Sequence, residues 1–163
     1  MALVVDDAAS LVLNWLKVHA DAAAIRALIY NGATNILEAG DLTAQMLRTD
    51  MDARRTASET SKVLFLTVWD AGERPIGDWT FEQTVVIRII DAGRGYRNIR
   101  AVRALFFDAL DDDGGWTLTD VGSTGQGVLD LRYTGRSGYR QSREYDAGFE
   151  PLTFVARIQH EEA

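Results

Sequence analysis

Acidic side chains crowd the segment from Asp108 to Gly114, where Asp108, Asp111, Asp112 and Asp113 precede a glycine. That composition invites a calcium loop. An EF-hand register needs acids at loop positions 1, 3 and 5, glycine at 6 and a bidentate glutamate at 12. With Gly114 at position 6, position 1 falls on Ala109 and position 12 on Asp120. The register fails, so no metal is expected and the segment reads as a solvated acidic turn. Acids at the end of a helix oppose its dipole, so an arginine partner is expected to neutralise them.

Other catalytic patterns fail in similar ways. The loop Gly122–Gly127 holds three glycines, but a phosphate cradle also needs a following Lys-Ser/Thr and a helix. The turn from Gly135 to Tyr139 has Tyr139 where a nucleophile elbow needs its second glycine, and no helix follows. His19 and His160 make no recognisable pairing with it and are expected at the surface. Glu82, Asp91, Glu144, Asp146 and Glu150 are available for acid/base work, but their spacing points instead to salt bridges with nearby arginines. No catalytic residue, metal or cofactor is expected, and the chain does not read as an enzyme.

The most distinctive surface is the stretch Arg132–Tyr145, RYTGRSGYRQSREY, with four arginines and three tyrosines. Arg132, Arg136, Tyr139, Arg140, Arg143 and Tyr145 suit protein hot spots. The same interleaving suits single-stranded nucleic acid, and an ordinary solvated hairpin has this composition too. A second basic stripe, Arg97, Arg100 and Arg103, recurs at three-residue spacing on a helix. Arg54 and Arg55 mark a third candidate interface.

These residues must be positioned by a strand–glycine–helix unit, from Trp79 to Leu110. Phe81, Gln83, Val85, Ile87 and Ile89 fall on one face of a strand. Glu82, Thr84, Val86, Arg88 and Ile90 fall on the other, which turns apolar towards its end. After a turn at Ala92–Gly95, Ile99, Val102, Leu105, Phe106 and Ala109 form the apolar stripe of a helix over Tyr96–Leu110. Upstream, Ser10–Tyr30 is helical with a break near His19–Ala20. Asp6 and Asp7 suit its N-terminus, Asp21 suits a cap for the second half, and Asn31-Gly32 is a stop. Thr34–Leu37 suits a short strand.

The segment Glu38–Ser61 is a polar excursion, with a turn or two of helix from Asp41 and then few apolar anchors. It reads as a loop or an arm that orders against a neighbour. Lys62–Trp69 is a buried strand, Asp70–Gly77 a turn. Trp116–Leu118, Val128–Tyr133, Tyr139–Tyr145 and Phe149–Gln159 are further strands, and His160–Ala163 a loose tail. The expected fold is α+β: a mainly antiparallel sheet of about five to six strands, with an N-terminal helical segment and a central helix packed on one face.

Composition sets the outer limits. A chain of 163 residues is one domain by length and buries about two-thirds of its unfolded surface. Cysteine is absent, which excludes disulfides and thiolate chemistry. No apolar run approaches the roughly 20 residues of a membrane span, and MALVVDDAAS lacks a signal peptide's basic segment. No membrane partner is expected. The net charge of −7 argues against a free-standing duplex-DNA binder. Of the 17 basic residues 15 are Arg, which suits fixed bidentate contacts, although a GC-rich genome gives the same bias.

The order of elements, with VVIRIIDAGRGYRNIRAVRALFFDAL (Val85–Leu110) and REYDAGFEPLTFVARI (Arg143–Ile158), resembles the tail-terminator (tail-completion) proteins of long-tailed bacteriophages. The resemblance covers Leu11–Ile158. The Glu38–Ser61 excursion and the Gly122–Gly127 loop depart from it. It implies a structural virion protein at the head-proximal end of the tail, assembled in the host cytoplasm. Its partners would be its own copies in a hexameric ring, the tail-tube protein and a head-completion protein of the neck. DNA would pass through the lumen without sequence recognition. A head–tail joining protein of related fold is the near alternative. A small ligand- or nucleic-acid-binding α+β domain is the distant one.

Overall fold

The structure is a computed structural model and describes residues 7–78, 80–92, 96–121, 127–136, 138–143 and 147–159, with Arg136 and Gln159 described by backbone alone. The expected turn at 93–95, the glycine loop at 122–126, Ser137, Glu144, Tyr145, Asp146, Asp6, Trp79 and the tail 160–163 lie outside the described residues.

Asp7 opens α1 (Ala8–Val18) by accepting a hydrogen bond from the Ser10 N–H. The break at His19 falls where the sequence places it, and α2 (Ala23–Ala27) follows a single turn of 3₁₀ helix. The cap of that turn is His19, whose Nδ1 accepts from the Asp21 N–H. Asp21 therefore receives the cap, where the sequence suggests that it supplies one. Asn31 takes a φ of 59° and ends the segment, a left-handed conformation that asparagine tolerates.

Seven strands form one sheet in the order β1-β2-β3-β7-β5-β4, with β6 also paired to β7. They are β1 (Ile36–Glu38), β2 (Phe65–Gly77), β3 (Thr80–Ala92), β4 (Gly115–Val121), β5 (Gly127–Arg136), β6 (Arg140–Ser142) and β7 (Ala147–Gln159). Among the described strands only β1 pairs in parallel, and outside them Ile29 forms a parallel bridge with Val63. The α+β class and the antiparallel sheet are as expected, with seven strands in place of five or six.

The period-2 pattern of β3 decides the layering. Gln83, Val85, Ile87 and Ile89 are fully buried beneath α1 and α4 (Tyr96–Asp108). On β7, Leu152, Phe154 and Ala156 join the same layer. At its centre Trp116 meets Trp15, Phe106 and Phe154 with ring centroids 5.2–5.6 Å apart, within the range for favourable aromatic pairs. Ala109, placed by the sequence on the buried stripe of α4, is exposed just past the helix end.

Two expectations are corrected. Asp70–Gly77 is not a turn. Strand β2 continues to Gly77, and its turn-forming residues are absorbed as irregularities between Asp70 and Gly72 and between Pro75 and Gly77. A glycine is needed at position 72, where φ is 130°. The stretch after Asp41 is not a short turn of helix and a loop. It holds α3 (Ala44–Thr56), whose Leu47 packs with Leu64, Phe65, Ile90, Ala92 and Ala147 against the opposite face of the sheet.

Candidate functional site

Helix α4 and the β6–β7 hairpin come together at one end of the molecule. The hairpin expected between Val128–Tyr133 and Tyr139–Tyr145 does not form, because β5 and β6 do not pair with each other and follow one another along the same edge of β7. The ring of Tyr96, in the first turn of α4, lies edge-on to Tyr139, with centroids 5.2 Å apart. Tyr139 packs so closely over Gly148 that a Cβ there would overlap its ring. This ties the start of α4 to the chain entering β6, although Arg140 itself is aligned with Phe149 on the other face of the sheet. Arg97 and Arg100 are exposed on α4, and Arg140 and Arg143 are exposed on the hairpin. The Arg100 guanidinium lies over the Tyr96 ring at 5.9 Å. Arg132, also exposed, sits further along β5 on the open face of the sheet. The Arg136 side chain and Tyr145 lie outside the described residues.

Two named arginines belong to the interior. Arg54 is 8% exposed, donates to the Lys62 carbonyl and forms an ion pair with the fully buried Asp91. It is therefore not available as an interface residue. It occupies the apolar side of α3 with Leu47 and Met51, a spacing of four and three residues that would have shown it facing the protein. Arg103 grips both carboxylate oxygens of Glu150 at 2.9 and 3.0 Å. Burial works against its charge, but the Tyr96 hydroxyl and Glu150 outweigh this and raise its pKa. Arg55 is exposed, with only Asp52 at 3.9 Å.

The carboxylates behave as arginine partners, as their spacing suggests. Asp91 accepts from Arg54, from the Asn98 side chain at 2.9 Å and from the Ala92 N–H at 2.8 Å. Burial nevertheless raises its pKa above the ordinary aspartate value. Glu82 pairs with Arg74 at 2.9 Å. The acidic turn after α4 uses a different solution from the expected arginine. The Asp111 carboxylate accepts from the Asp113 and Gly115 N–H groups at 2.9 and 2.7 Å, and no arginine pairs with it among the described residues. His19 is half-buried at the surface. It stacks on Trp15 with centroids 5.0 Å apart and reaches Asp120 at 3.4 Å.

The opposite face of the sheet carries two depressions. One, of about 690 Å³, runs over β4, β5 and β7 and is bordered by Thr117, Asp130, Arg132, Val155 and Arg157. The other, of about 250 Å³, lies between α3 and the sheet and contains Arg88. Among the described residues no group of three or more His, Cys, Asp or Glu side chains is placed to hold a metal ion. No described helix is long and apolar enough to cross a membrane.

No known family model matches the sequence, and no curated protein does. The fold is similar to that of a chain in the virion of a native gene transfer agent (GTA) particle. The match has a TM-score of 0.53 and 19% sequence identity, and it covers 94% of this chain and 99% of the other.

Proposed function

We propose that this chain is a non-enzymatic structural virion protein, a tail terminator whose copies close into a ring on the last layer of the tail tube. One observation carries the proposal: the likeness to a virion chain extends over 94% of this chain and 99% of that one. The two therefore share a fold over their whole length, not a common submotif. The ring is hexameric, as the resemblance to phage tail terminators implies. Its opposite side receives the head-completion protein of the neck.

A ring of identical subunits needs two different complementary patches on each copy. The basic end built by Arg97, Arg100, Arg140 and Arg143 supplies one of them. DNA passes through the lumen without being read. The net charge of −7 suits a channel that must not retain DNA, since retention comes from phosphate neutralisation by cations.

The test is a tube-growth assay. Added to polymerising tail-tube protein, the chain should arrest growth and leave extra density at one tube end in electron micrographs. Unchecked growth, with binding to head-completion protein alone, would assign it instead to head–tail joining. Retention of single-stranded DNA that is lost in Arg136→Ala and Arg140→Ala would assign it to nucleic-acid binding.

A further inference from the structure

Arg88 stands in the middle of β3 on the face away from α1 and α4. Its guanidinium is held between two rings, 5.0 Å from the Trp69 centroid and 5.7 Å from that of Phe149. Its Nε is buried without a hydrogen-bond partner. Other arginines drawn into the protein have acceptors: Arg54 has Asp91, Arg103 has Glu150 and Arg26 has the Leu16 carbonyl. Arg88 has no carboxylate partner among the described residues. It faces a cavity of about 250 Å³ whose walls include Leu42, Leu47, Ile90 and Phe149. A cation fixed by stacking in a mostly apolar recess, with no counter-ion among the described residues, favours an incoming anion. The recess is below the roughly 300–1,000 Å³ of small-molecule sites, a size suited to an anchoring side chain from a protein.

The complementary shape lies on the same chain, at the far end of the β2–β3 ribbon. Ile76 is one of the few large apolar side chains left exposed, at 41%. Asp78, in the turn beyond it, is exposed and has no described partner. Arg88 is paired across the ribbon with Thr67, ten residues before Gly77. At about 3.3 Å per residue the tip is roughly 30 Å from the recess of its own copy, so an intramolecular contact is ruled out.

We propose that the ribbon tip of one copy seats in the Arg88 recess of the next, with Ile76 among the apolar walls and the Asp78 carboxylate on the Arg88 guanidinium. Charge favours this pairing beyond the two anchors. Arg140, aligned with Phe149 in the β6–β7 register, and Arg143 add positive charge beside the recess. The ribbon adds the exposed Asp70, and its Arg74 is already paired with Glu82. The two surfaces differ and lie apart, as a head-to-tail ring requires. The proposal rests on the ring reading for its second copy and names the contact that closes the ring.

The absence of cysteine makes the contact directly testable. In an Ile76→Cys/Ser142→Cys double variant, one thiol sits at the tip and the other at the recess wall. Mild oxidation should give a ladder of disulfide-linked oligomers ending in a closed species. Arg88→Glu in that background should abolish the ladder, as should Asp78→Arg, a change at an exposed turn that leaves the fold intact. Combining Arg88→Glu with Asp78→Arg should restore it. In the cysteine-free chain, Asp78→Arg should raise the concentration needed for assembly about tenfold or more, as expected for an anchoring contact. A closed oligomer by native mass spectrometry with no ladder would overturn this contact and leave the ring standing, as would a ladder indifferent to both charge reversals. A monomer without ladder, alone and with tail-tube protein, would overturn both.

Discussion

Tyr139, just before β6, lies edge-on to Tyr96 of α4, 5.2 Å between ring centroids, and this contact ties the first turn of α4 to the β6–β7 end of the sheet. Helix α4 is otherwise fixed by Ile99, Val102 and Phe106 in the core. The hairpin end is fixed by three β6–β7 pairs and by Tyr139 over Gly148. Tyr139→Ala should cost more than the roughly 0.5–1.5 kcal/mol of the aromatic pair alone, because it also removes a ring packed against the core. It should weaken oligomerisation more than the melting temperature, which sedimentation and calorimetry on the same sample would compare.

On the proposed ring, the exposed arginines at that end serve assembly and not folding. The triple change Arg97→Glu, Arg100→Glu and Arg140→Glu should leave folding within about 0.5 kcal/mol per site and shift the oligomer to monomer. Intact assembly by size-exclusion chromatography with light scattering would remove this surface from the ring contact.

Neighbouring arginines on α3 should behave in opposite ways. Arg54→Ala strands the buried Asp91 carboxylate and should destabilise the fold by about 3–5 kcal/mol. Arg55→Ala removes a solvent-exposed pair with Asp52 and should change stability by less than about 1 kcal/mol. Chemical denaturation of the two variants checks the contrast.

Asp91 also sets a pH dependence. Burial raises its folded-state pKa above the unfolded value, so the folded chain holds that proton to higher pH. Its contribution to stability is full below the ordinary aspartate pKa of about 3.9 and declines as pH rises through the folded value. The difference in melting temperature between the parent and Asp91→Asn should therefore move against the parent as pH rises from about 4 to about 7. A difference moving the other way would show that Arg54 and Asn98 outweigh burial.

The sequence was most legible where a single period dominated. Strand β3 alternates cleanly, and its two faces are buried as the alternation dictates. The Asp91 and Glu150 salt bridges were legible because a chain with 15 arginines leaves few buried acids without one. Strand β2 was read too short because Asp70, Gly72, Pro75 and Gly77 are turn formers. Within a ribbon they also make bulges and blunt an edge. Most of α3 was missed because one of its inward anchors is an arginine, which hydropathy scores as surface. Arg88 was visible in the pattern, between Val86 and Ile90 on one face. Only the fold brings Trp69 and Phe149 around it, and that no described carboxylate reaches it is a tertiary fact that no local pattern carries.

The claim that most needs testing is self-assembly into a closed ring. Native mass spectrometry of the purified chain, alone and mixed with its tail-tube protein, addresses it directly. The account predicts one discrete closed oligomer, present at once or appearing when the tube protein is added. A monomer under both conditions would contradict it.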